Sequence, residues 1–283
     1  METRREFVNR VNGHLNMIDP TRLLYNENEY WLIQSTYEYL ECYAVDHRLQ
    51  NMFIALPLVR GLHNGVYRKF GVEKGGEMHR LPYVIHCLLV CRMLVDIHPA
   101  LSAEDQDCLL AAALCHDLIE DIAFEHGGKE LITEFHLDPR VYEIVKLVSK
   151  RSDFTIEEER QFFDKIQKNP LALLLKLADR GNNVEDLYNM PKKKLEEYLE
   201  ETERYFLPMS DYGINKYPEL SITIHILRDK ITILTTVSKV MITKLEARNQ
   251  ILRNQRNQLK LENMKLREEW KRLWEEEMND AEN

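Results

Sequence analysis

The sequence of 283 residues is poor in the residues that interrupt helices, with ten glycines and nine prolines. It has no apolar run near the roughly 20 residues that a membrane span needs. Its first residues, METRREFVNR, lack the apolar stretch of a secretory signal. The five cysteines include no Cys-x-x-Cys pair, which argues against a zinc site built from them. We therefore expect a cytoplasmic protein without a membrane partner, whose cysteines are small buried hydrophobic residues.

The charge balance is acidic, with 47 acidic and 38 basic residues and a formal net charge of −9. This excess makes nucleic acid an unlikely partner, since a phosphate backbone attracts basic surfaces. An anionic substrate would need a local basic patch or metal ions. With 44% hydrophobic and 30% charged residues and few helix breakers, the composition favours an all-α globular protein.

Proline and its neighbours mark the starts of several helices. Pro82 is expected in the first turn of one helix, and Asp138–Pro139 and Asn169–Pro170 form pairs of a cap and a first-turn proline. Residues 103–123 are apolar nearly all round through their middle, which predicts one central buried helix. The segment 70–81 is polar and contains three glycines, so it is predicted to be a loop.

Leucines recur at every seventh position towards the end of the chain. They are Leu245, Leu252, Leu259, Leu266 and Leu273. With leucine at d, Asn249 and Asn263 fall at a positions, a pattern that favours a two-stranded parallel coiled coil. We expect a homodimer through residues 242–278. An amphipathic helix that folds back on the preceding domain is the alternative.

Polar residues that can bind metal interrupt three apolar helices. His116, Asp117, Glu120 and Asp121 follow a run of Ala and Leu, where charged groups are costly to bury unless they are paired or bind a metal. On a continuous helix, His116 and Glu120 would share one face, and Asp117 and Asp121 the adjoining face. His86 and Asp179 lie in similar settings. These two histidines and two carboxylates suit Mn²⁺, Fe²⁺, Co²⁺ or Zn²⁺.

The order of these residues resembles the HD superfamily, and the surrounding motifs resemble the hydrolase domain of RelA/SpoT-type enzymes. The motifs are Leu-His-Asn-Gly-Val-Tyr-Arg-Lys at 62–69, Pro-Tyr-Val-Ile-His at 82–86, His-Asp-Leu-Ile-Glu-Asp at 116–121 and Lys-Leu-Ala-Asp-Arg-Gly-Asn-Asn at 176–183. Four ordered motifs are specific where the His-Asp pair alone is not. The resemblance implies an HD-domain helical bundle at residues 51–240. From the sequence pattern we expect a helical extension at 1–50 that packs on this bundle and a coiled-coil helix with a short tail at 241–283.

The resemblance also implies an activity, the hydrolysis of the 3′-pyrophosphate of guanosine tetra- or pentaphosphate. It assigns a Mn²⁺ ion to His86, His116, Asp117 and Asp179. It assigns the activation and orientation of water to Glu120 and Asp121, guanine stacking to Arg68 with Lys69 beside it, and a nucleotide contact to Asn183. No segment resembles the synthetase half of these enzymes, so we expect a hydrolase without it.

Some features leave alternatives open. The connection at 70–81 is longer than in the family and adjoins the expected base pocket, so another nucleotide could be the substrate of a nucleotidase or phosphodiesterase. Cys87 replaces a common proline, without an expected effect on metal binding. Lys150 and Arg151 could add positive charge to the site or lie in a solvated turn. A non-catalytic, nucleotide-binding dimeric regulator is the remaining alternative.

Overall fold

The computed structural model describes residues 27–69, 71–74, 77–121, 126–151 and 153–281. Helices dominate these ranges, which confirms the predicted all-α class. They are α1 (Glu27–His47), α2 (Gln50–Leu62), α3 (Tyr83–Ile97), α4 (Ala103–Cys115), α5 (Leu118–Asp121), α6 (Glu130–Thr133), α7 (Pro139–Val148), α8 (Ile156–Ile166), α9 (Pro170–Asn183), α10 (Lys192–Glu201), α11 (Leu207–Lys216) and α12 (Ser221–Ala281). Two short strands, β1 (Val72–Lys74) and β2 (Glu77–His79), and a π-helical turn at Thr202–Phe206 complete the elements used below.

The chain divides into two compact units, residues 1–234 and 235–283, with the boundary inside α12. In the first unit, α4 packs against α2, α3, α7 and α9 and is buried along most of its length. This burial follows from the apolar run at residues 108–115, which leaves no polar face for solvent. Ile33 and Leu40 of α1 and Leu227 of α12 are also fully buried in this core.

The predicted helix starts are largely confirmed. The Asp138 carboxylate accepts a hydrogen bond from the backbone N–H of Arg140 at 2.8 Å, and the Asn169 side chain accepts from two backbone N–H groups at 3.0 Å. Both helices carry the expected proline in the first turn. Pro82 instead lies one residue before α3, because it still belongs to an extended arm that pairs with Tyr67.

The expected single helix over residues 103–123 was wrong. Helix α4 ends at Cys115 and α5 begins at Leu118, so His116 and Asp117 lie in a turn between them. The backbone N–H groups of Glu120 and Asp121 both bond to the carbonyl oxygen of Asp117, at 3.1 and 2.9 Å, which starts the new helix. The His116-Asp117 pair therefore occupies a helix junction.

The expected loop at 70–81 contains a hairpin. Strands β1 and β2 are antiparallel, with Val72 opposite His79. The base is closed by a hydrogen bond of 2.9 Å from the backbone N–H of Arg68 to the carbonyl oxygen of Leu81. Gly75-Gly76 between the strands is a known hairpin signal in sequences.

Helix α12 extends the predicted C-terminal helix towards the N-terminus by some twenty residues, since it begins at Ser221 and includes 61 residues. Leu245, Leu252, Leu259 and Leu266 each expose more than half of their surface. No helix within the described ranges is long and apolar enough to cross a membrane.

The cysteines follow the prediction with one exception. Cys87, Cys91, Cys108 and Cys115 are buried as free thiols, which confirms the expectation for these four. Cys42 is exposed, so the expectation was wrong there.

Candidate metal centre

Three packed helices bring together the two histidines and two carboxylates predicted from the sequence. His86 lies on α3, His116 and Asp117 follow the last residue of α4, and Asp179 lies in the last turns of α9. Because α3 and α9 both pack against α4, and against each other, the four side chains converge on one point in the first unit. We call this set, His86, His116, Asp117 and Asp179, the metal pocket.

The ligand atoms of the metal pocket are close to one another. His86 Nε2 lies 3.5 Å from Asp117 Oδ2 and 3.3 Å from Asp179 Oδ1. His116 Nε2 lies 3.0 and 3.7 Å from the same two oxygens. His86, His116 and Asp179 each offer a ligand atom within 4.8 Å of the others. All four side chains are largely buried, with at most 14% of each exposed.

The other ring nitrogen of each histidine faces a hydrogen-bond acceptor. His86 Nδ1 lies 2.6 Å from the side-chain oxygen of Asn182, and His116 Nδ1 lies 2.8 Å from the carbonyl oxygen of Ala113. These partners assign the proton of a neutral ring to Nδ1, so Nε2 presents a lone pair to the carboxylates. His116 Nε2 is buried and makes no hydrogen bond within the described residues. Either a proton on Nε2 or a cation at the centre satisfies these contacts, and two imidazoles with two carboxylates are a set of ligands that fits a divalent metal ion.

Without a metal ion, the carboxylates of the metal pocket favour a positive charge on His116. Burial lowers the pKa of His116, but Asp117 and Asp179 outweigh it and hold this pKa well above the ordinary value. Burial raises the pKa values of Asp117 and Asp179, yet the neighbouring positive charges hold both well below their usual range. The pocket thus stabilises positive charge near its centre.

Two further residues hold the carboxylates in place. The hydroxyl of Tyr83 donates a hydrogen bond of 2.7 Å to Asp117 Oδ2. The ammonium of Lys176 lies 3.2 Å from Asp179 Oδ2, the oxygen that does not face the histidines. Such outer contacts fix the orientation of ligands and are part of a working metal site.

Arg68 and Asn183 are joined to the same centre. The Asn183 amide donates to Asp179 Oδ1 at 2.6 Å and accepts from Arg68 at 2.7 Å. The Arg68 guanidinium also lies 5.6 Å from the centre of the Tyr83 ring. Lys69 is exposed beside Arg68. The closed base of the hairpin therefore leaves Arg68 next to the metal pocket, despite the longer connection.

Glu120 and Asp121 lie on the short helix α5 that follows the His-Asp turn. Glu120 accepts a hydrogen bond of 2.6 Å from the backbone N–H of Lys150. Partial burial raises the pKa of Glu120, although the charge of Lys176 and this N–H oppose the shift. Asp121 Oδ2 lies 3.6 Å from Nε2 of the buried His63.

The side chain of Lys150 belongs to a different group of charges. Its ammonium contacts Glu159 and lies 2.6 Å from Glu201 Oε1, and Arg180 contacts the other oxygen of Glu201. We call Lys150, Glu159, Arg180 and Glu201 the salt-bridge cluster. Arg151 pairs with Asp153 on the surface at 2.7 Å. The charge of Lys150 and Arg151 is thus compensated by carboxylates of the protein itself.

Sequence reasoning missed Tyr83, Asn182 and His63 as neighbours of the site. Tyr83 and Asn182 are next to residues of the recognised motifs, so motif membership was an available signal. Their contacts join residues 34 and 96 positions apart, which no local pattern reveals.

Comparisons with known proteins agree with this geometry. Residues 83–183 match the HD domain family. The chain is 29% identical over 180 residues to a putative GTP diphosphokinase RSH1, chloroplastic, of Oryza sativa subsp. japonica, covering 59% of this chain and 18% of that protein. It is 29% identical over 150 residues to the guanosine-3′,5′-bis(diphosphate) 3′-pyrophosphohydrolase of Aquifex aeolicus, covering 50% and 20%.

A third relative is the bifunctional (p)ppGpp synthase/hydrolase SpoT of Escherichia coli, 24% identical over 188 residues and covering 64% of this chain and 24% of that protein. The aligned part of this chain thus spans about a fifth of the length of these curated relatives. Residues 83–183 of this chain are therefore similar to HD domains, and its relatives include proteins named as a guanosine-3′,5′-bis(diphosphate) 3′-pyrophosphohydrolase and a bifunctional (p)ppGpp synthase/hydrolase.

Proposed function

We propose that this chain is a metal-dependent phosphohydrolase that removes pyrophosphate from the 3′ position of guanosine tetra- or pentaphosphate. The observation that carries the proposal is the convergence of two imidazole nitrogens and two carboxylate oxygens within 3.0–3.7 Å. Similarity to proteins named as 3′-pyrophosphohydrolases supports the choice of substrate. The hydrolase domain would span residues 51–240, with residues 1–50 as its N-terminal extension.

The proposed cofactor is Mn²⁺, held by the metal pocket. Imidazole and carboxylate ligands suit this ion and other divalent transition metals. When bound, a divalent ion supplies positive charge beside the phosphoryl oxygens and makes water more acidic.

Glu120 is the proposed general base, and Asp121 orients the attacking water. Glu120 is exposed at the edge of the buried pocket, and its raised pKa makes it a better proton acceptor than an ordinary glutamate. The backbone N–H of Lys150 fixes one of its oxygens and leaves the other for a water molecule. Asp121 lies on the same turn of helix, against His63.

Arg68, Lys69 and Asn183 are the proposed nucleotide-binding residues. The Arg68 guanidinium presents a planar group that can stack on a purine ring. Its hydrogen bond to Asn183 ties that group to the metal pocket, so base and phosphate recognition would be coupled. Lys69 would supply positive charge at the exposed edge.

The test is product analysis on the purified chain with guanosine tetraphosphate, with and without Mn²⁺. We expect Mn²⁺-dependent release of GDP and intact pyrophosphate. Glu120→Gln keeps the shape of the side chain and should lower turnover by about 10²–10⁴-fold while metal still binds. Glu134→Gln, a change at an exposed glutamate elsewhere, is the matched control and should have full activity. Bound metal without turnover would contradict the substrate assignment.

A second substrate is favoured by one observation, the hairpin formed by β1 and β2. It rises from the backbone position of Arg68, where the base would bind. Hydrolysis of another nucleotide with release of orthophosphate or a nucleoside monophosphate would identify a nucleotidase or phosphodiesterase.

We also propose that the chain forms a homodimer through a coiled coil at residues 242–278. The exposed leucines of α12 support this, since a row of apolar side chains at heptad spacing is stabilised by a partner helix. Light scattering on the full chain and on a chain truncated after Met241 tests it. We expect the full chain to be a dimer and the truncated chain to be a monomer, and an unchanged oligomeric state would contradict the dimer.

We also propose a cytoplasmic location. The four buried free thiols suit a reducing compartment.

A further inference from the structure

A thiol stands beside the metal pocket. Cys87 follows His86 on α3 and is fully buried. Its sulfur and the ligand atoms of His116 and Asp117 all lie within 4.8 Å of one another. The sequence expectation that the replacement of proline by Cys87 has no bearing on metal binding therefore needs revision.

A second observation concerns His116, which belongs to two groups of possible metal ligands, one with His86 and Asp179 and the other with Cys87 and Asp117. His116 is 1% exposed, and its Nε2 atom makes no hydrogen bond within the described residues. Tyr83 lies one helical turn before Cys87 on α3, and its hydroxyl also meets Asp117. This ridge of α3 thus lies on the Asp117 side of the pocket, while Lys176 and Asn183 meet Asp179 on α9.

The other buried thiol on α3 has an ordinary structural role. Cys91 lies one turn after Cys87, and its S–H group donates to the carbonyl oxygen of Leu110 at 3.6 Å. It contributes no atom to the groups of possible metal ligands found in the described part of the chain. The two cysteines therefore share burial and helix but differ in their distance from the pocket.

We propose that Cys87 is an additional, thiolate ligand of the metal centre, on the side of Asp117. A metal–sulfur bond forms as the S–H bond breaks, and the proton leaves to water. A thiolate is a soft ligand, so it shifts the preference of the centre from Mn²⁺ towards Zn²⁺, Co²⁺ or Fe²⁺. This inference rests on the metal pocket proposed above and goes beyond it in the choice of metal.

The experiment uses Co²⁺ with the full chain and reads absorption spectra, which do not depend on substrate. A Co²⁺–thiolate bond gives an intense near-ultraviolet charge-transfer band in addition to weak visible ligand-field bands. We expect this band in the wild type and in Cys91→Ala, and its loss in Cys87→Ala. Cys87→Ser, which is closer in size, provides a second variant should the alanine variant not fold.

The outcomes separate this inference from the proposed function. Ligand-field bands without a charge-transfer band in the wild type would overturn the role of Cys87 and leave the metal pocket intact. A charge-transfer band that survives in Cys87→Ala and in Cys87→Ser would also overturn it. No binding of Co²⁺, Mn²⁺ or Zn²⁺ at all would remove the metal centre and the proposed function together.

A competition titration gives an independent readout. Cys87→Ala should weaken Zn²⁺ binding by about tenfold or more, as outer ligand contacts alone are worth that much, while Mn²⁺ binding changes far less. Equal losses for Zn²⁺ and Mn²⁺ would mean that Cys87 supports the pocket by packing, and would contradict the proposal.

Discussion

Two clusters of charged side chains lie on neighbouring helices of the first unit, and they differ in the source of their counter-charges. The salt-bridge cluster holds two cations and two carboxylates, and the rings of Tyr198 and Phe206 cover the Arg180 guanidinium at 3.7 and 3.8 Å. The metal pocket instead directs two imidazole lone pairs and two carboxylates at one point. Asp179 and Arg180 are adjacent in the sequence, yet each belongs to a different cluster.

The difference is one of charge balance. Buried charges are tolerated when each has a partner of opposite sign, and the salt-bridge cluster provides all of its partners itself. In the metal pocket Lys176 contacts the outer oxygen of Asp179, and the inner oxygens of both carboxylates face imidazole rings, which carry a positive charge only when they are protonated. A polar cluster that supplies its own counter-charges is structural, whereas one that lacks them is a candidate binding site.

The largest effect is expected from His116→Ala, which removes a ligand of the metal pocket. A metal ion at a hundred times its Kd should stabilise the wild-type chain by about 3 kcal/mol. The variant should lose this stabilisation, and hydrolysis should fall by about a thousandfold or more. Thermal unfolding with and without Mn²⁺, together with metal analysis, checks it. A variant that still bound one equivalent of Mn²⁺ would contradict the claim that the metal pocket, unlike the salt-bridge cluster, needs a bound cation.

A smaller effect is expected from Tyr83→Phe, which removes one hydroxyl and keeps the ring beside Arg68. Loss of the hydrogen bond to Asp117 should weaken Mn²⁺ binding by about 10–100-fold, as measured by calorimetry. Tyr39→Phe is the matched control, because it removes a hydroxyl that donates to Asp96 at 2.9 Å outside the pocket. Equal Mn²⁺ affinities in the two variants would contradict the role of Tyr83 in positioning Asp117.

Glu201→Gln should destabilise the protein without changing the metal-induced rise in Tm. Burial raises the pKa of Glu201, but Arg180 and Lys150 outweigh it and lower this pKa to about 2. The folded state therefore favours the charged form, and the stabilisation is complete above the ordinary value of 4.5 and is lost as the pH falls towards 2.

We expect a loss of about 2 kcal/mol in the free energy of unfolding at pH 7, from urea denaturation of wild type and variant. The difference between the two proteins should shrink as the pH is lowered below 4.5. A difference that stays constant with pH would mean that the Glu201 carboxylate carries no charge-dependent stabilisation.

The smallest effect is expected from Arg151→Ala. Arg151 and Asp153 are 68% and 66% exposed, so their ion pair is screened by solvent. Unfolding temperature, metal affinity and turnover should all match those of the wild type. A fall in turnover would show that Arg151 leaves Asp153 to meet the substrate.

Sequence reasoning could predict the four members of the metal pocket because each is a costly polar group in an apolar helix. It placed His116 and Asp117 within one long helix, however, and the structure puts them in a turn. His116 Nδ1 lies 2.8 Å from the carbonyl oxygen of Ala113, the acceptor that a continuing helix would offer to the backbone N–H of Asp117. Hydrophobic periodicity indicates which faces of a helix are apolar, but it does not show that a side chain contacts a backbone carbonyl oxygen.

The hairpin and the contacts around the metal pocket could not be predicted from the sequence for a related reason. Three-residue strands are too short for an alternating pattern, so only Gly75-Gly76 gave a local signal. Asn182 and Asn183 are adjacent and chemically identical, yet one orients His86 and the other joins Asp179 to Arg68. The rotation of α9 about its axis, relative to the neighbouring helices, decides which asparagine contacts His86 and which contacts Asp179.

The closed base of the hairpin separates the length of the segment after Arg68 from the position of the metal pocket. The hydrogen bond from the backbone N–H of Arg68 to the carbonyl oxygen of Leu81 holds the two ends of this segment together, so we expect insertions or deletions beyond that bond to leave the metal pocket in place. Each doubling of such a connection costs only about 0.6 kcal/mol in closure entropy. Changes in substrate choice could therefore accumulate in this segment, while the proposed metal ligands and water-activating residues stay under their own constraint.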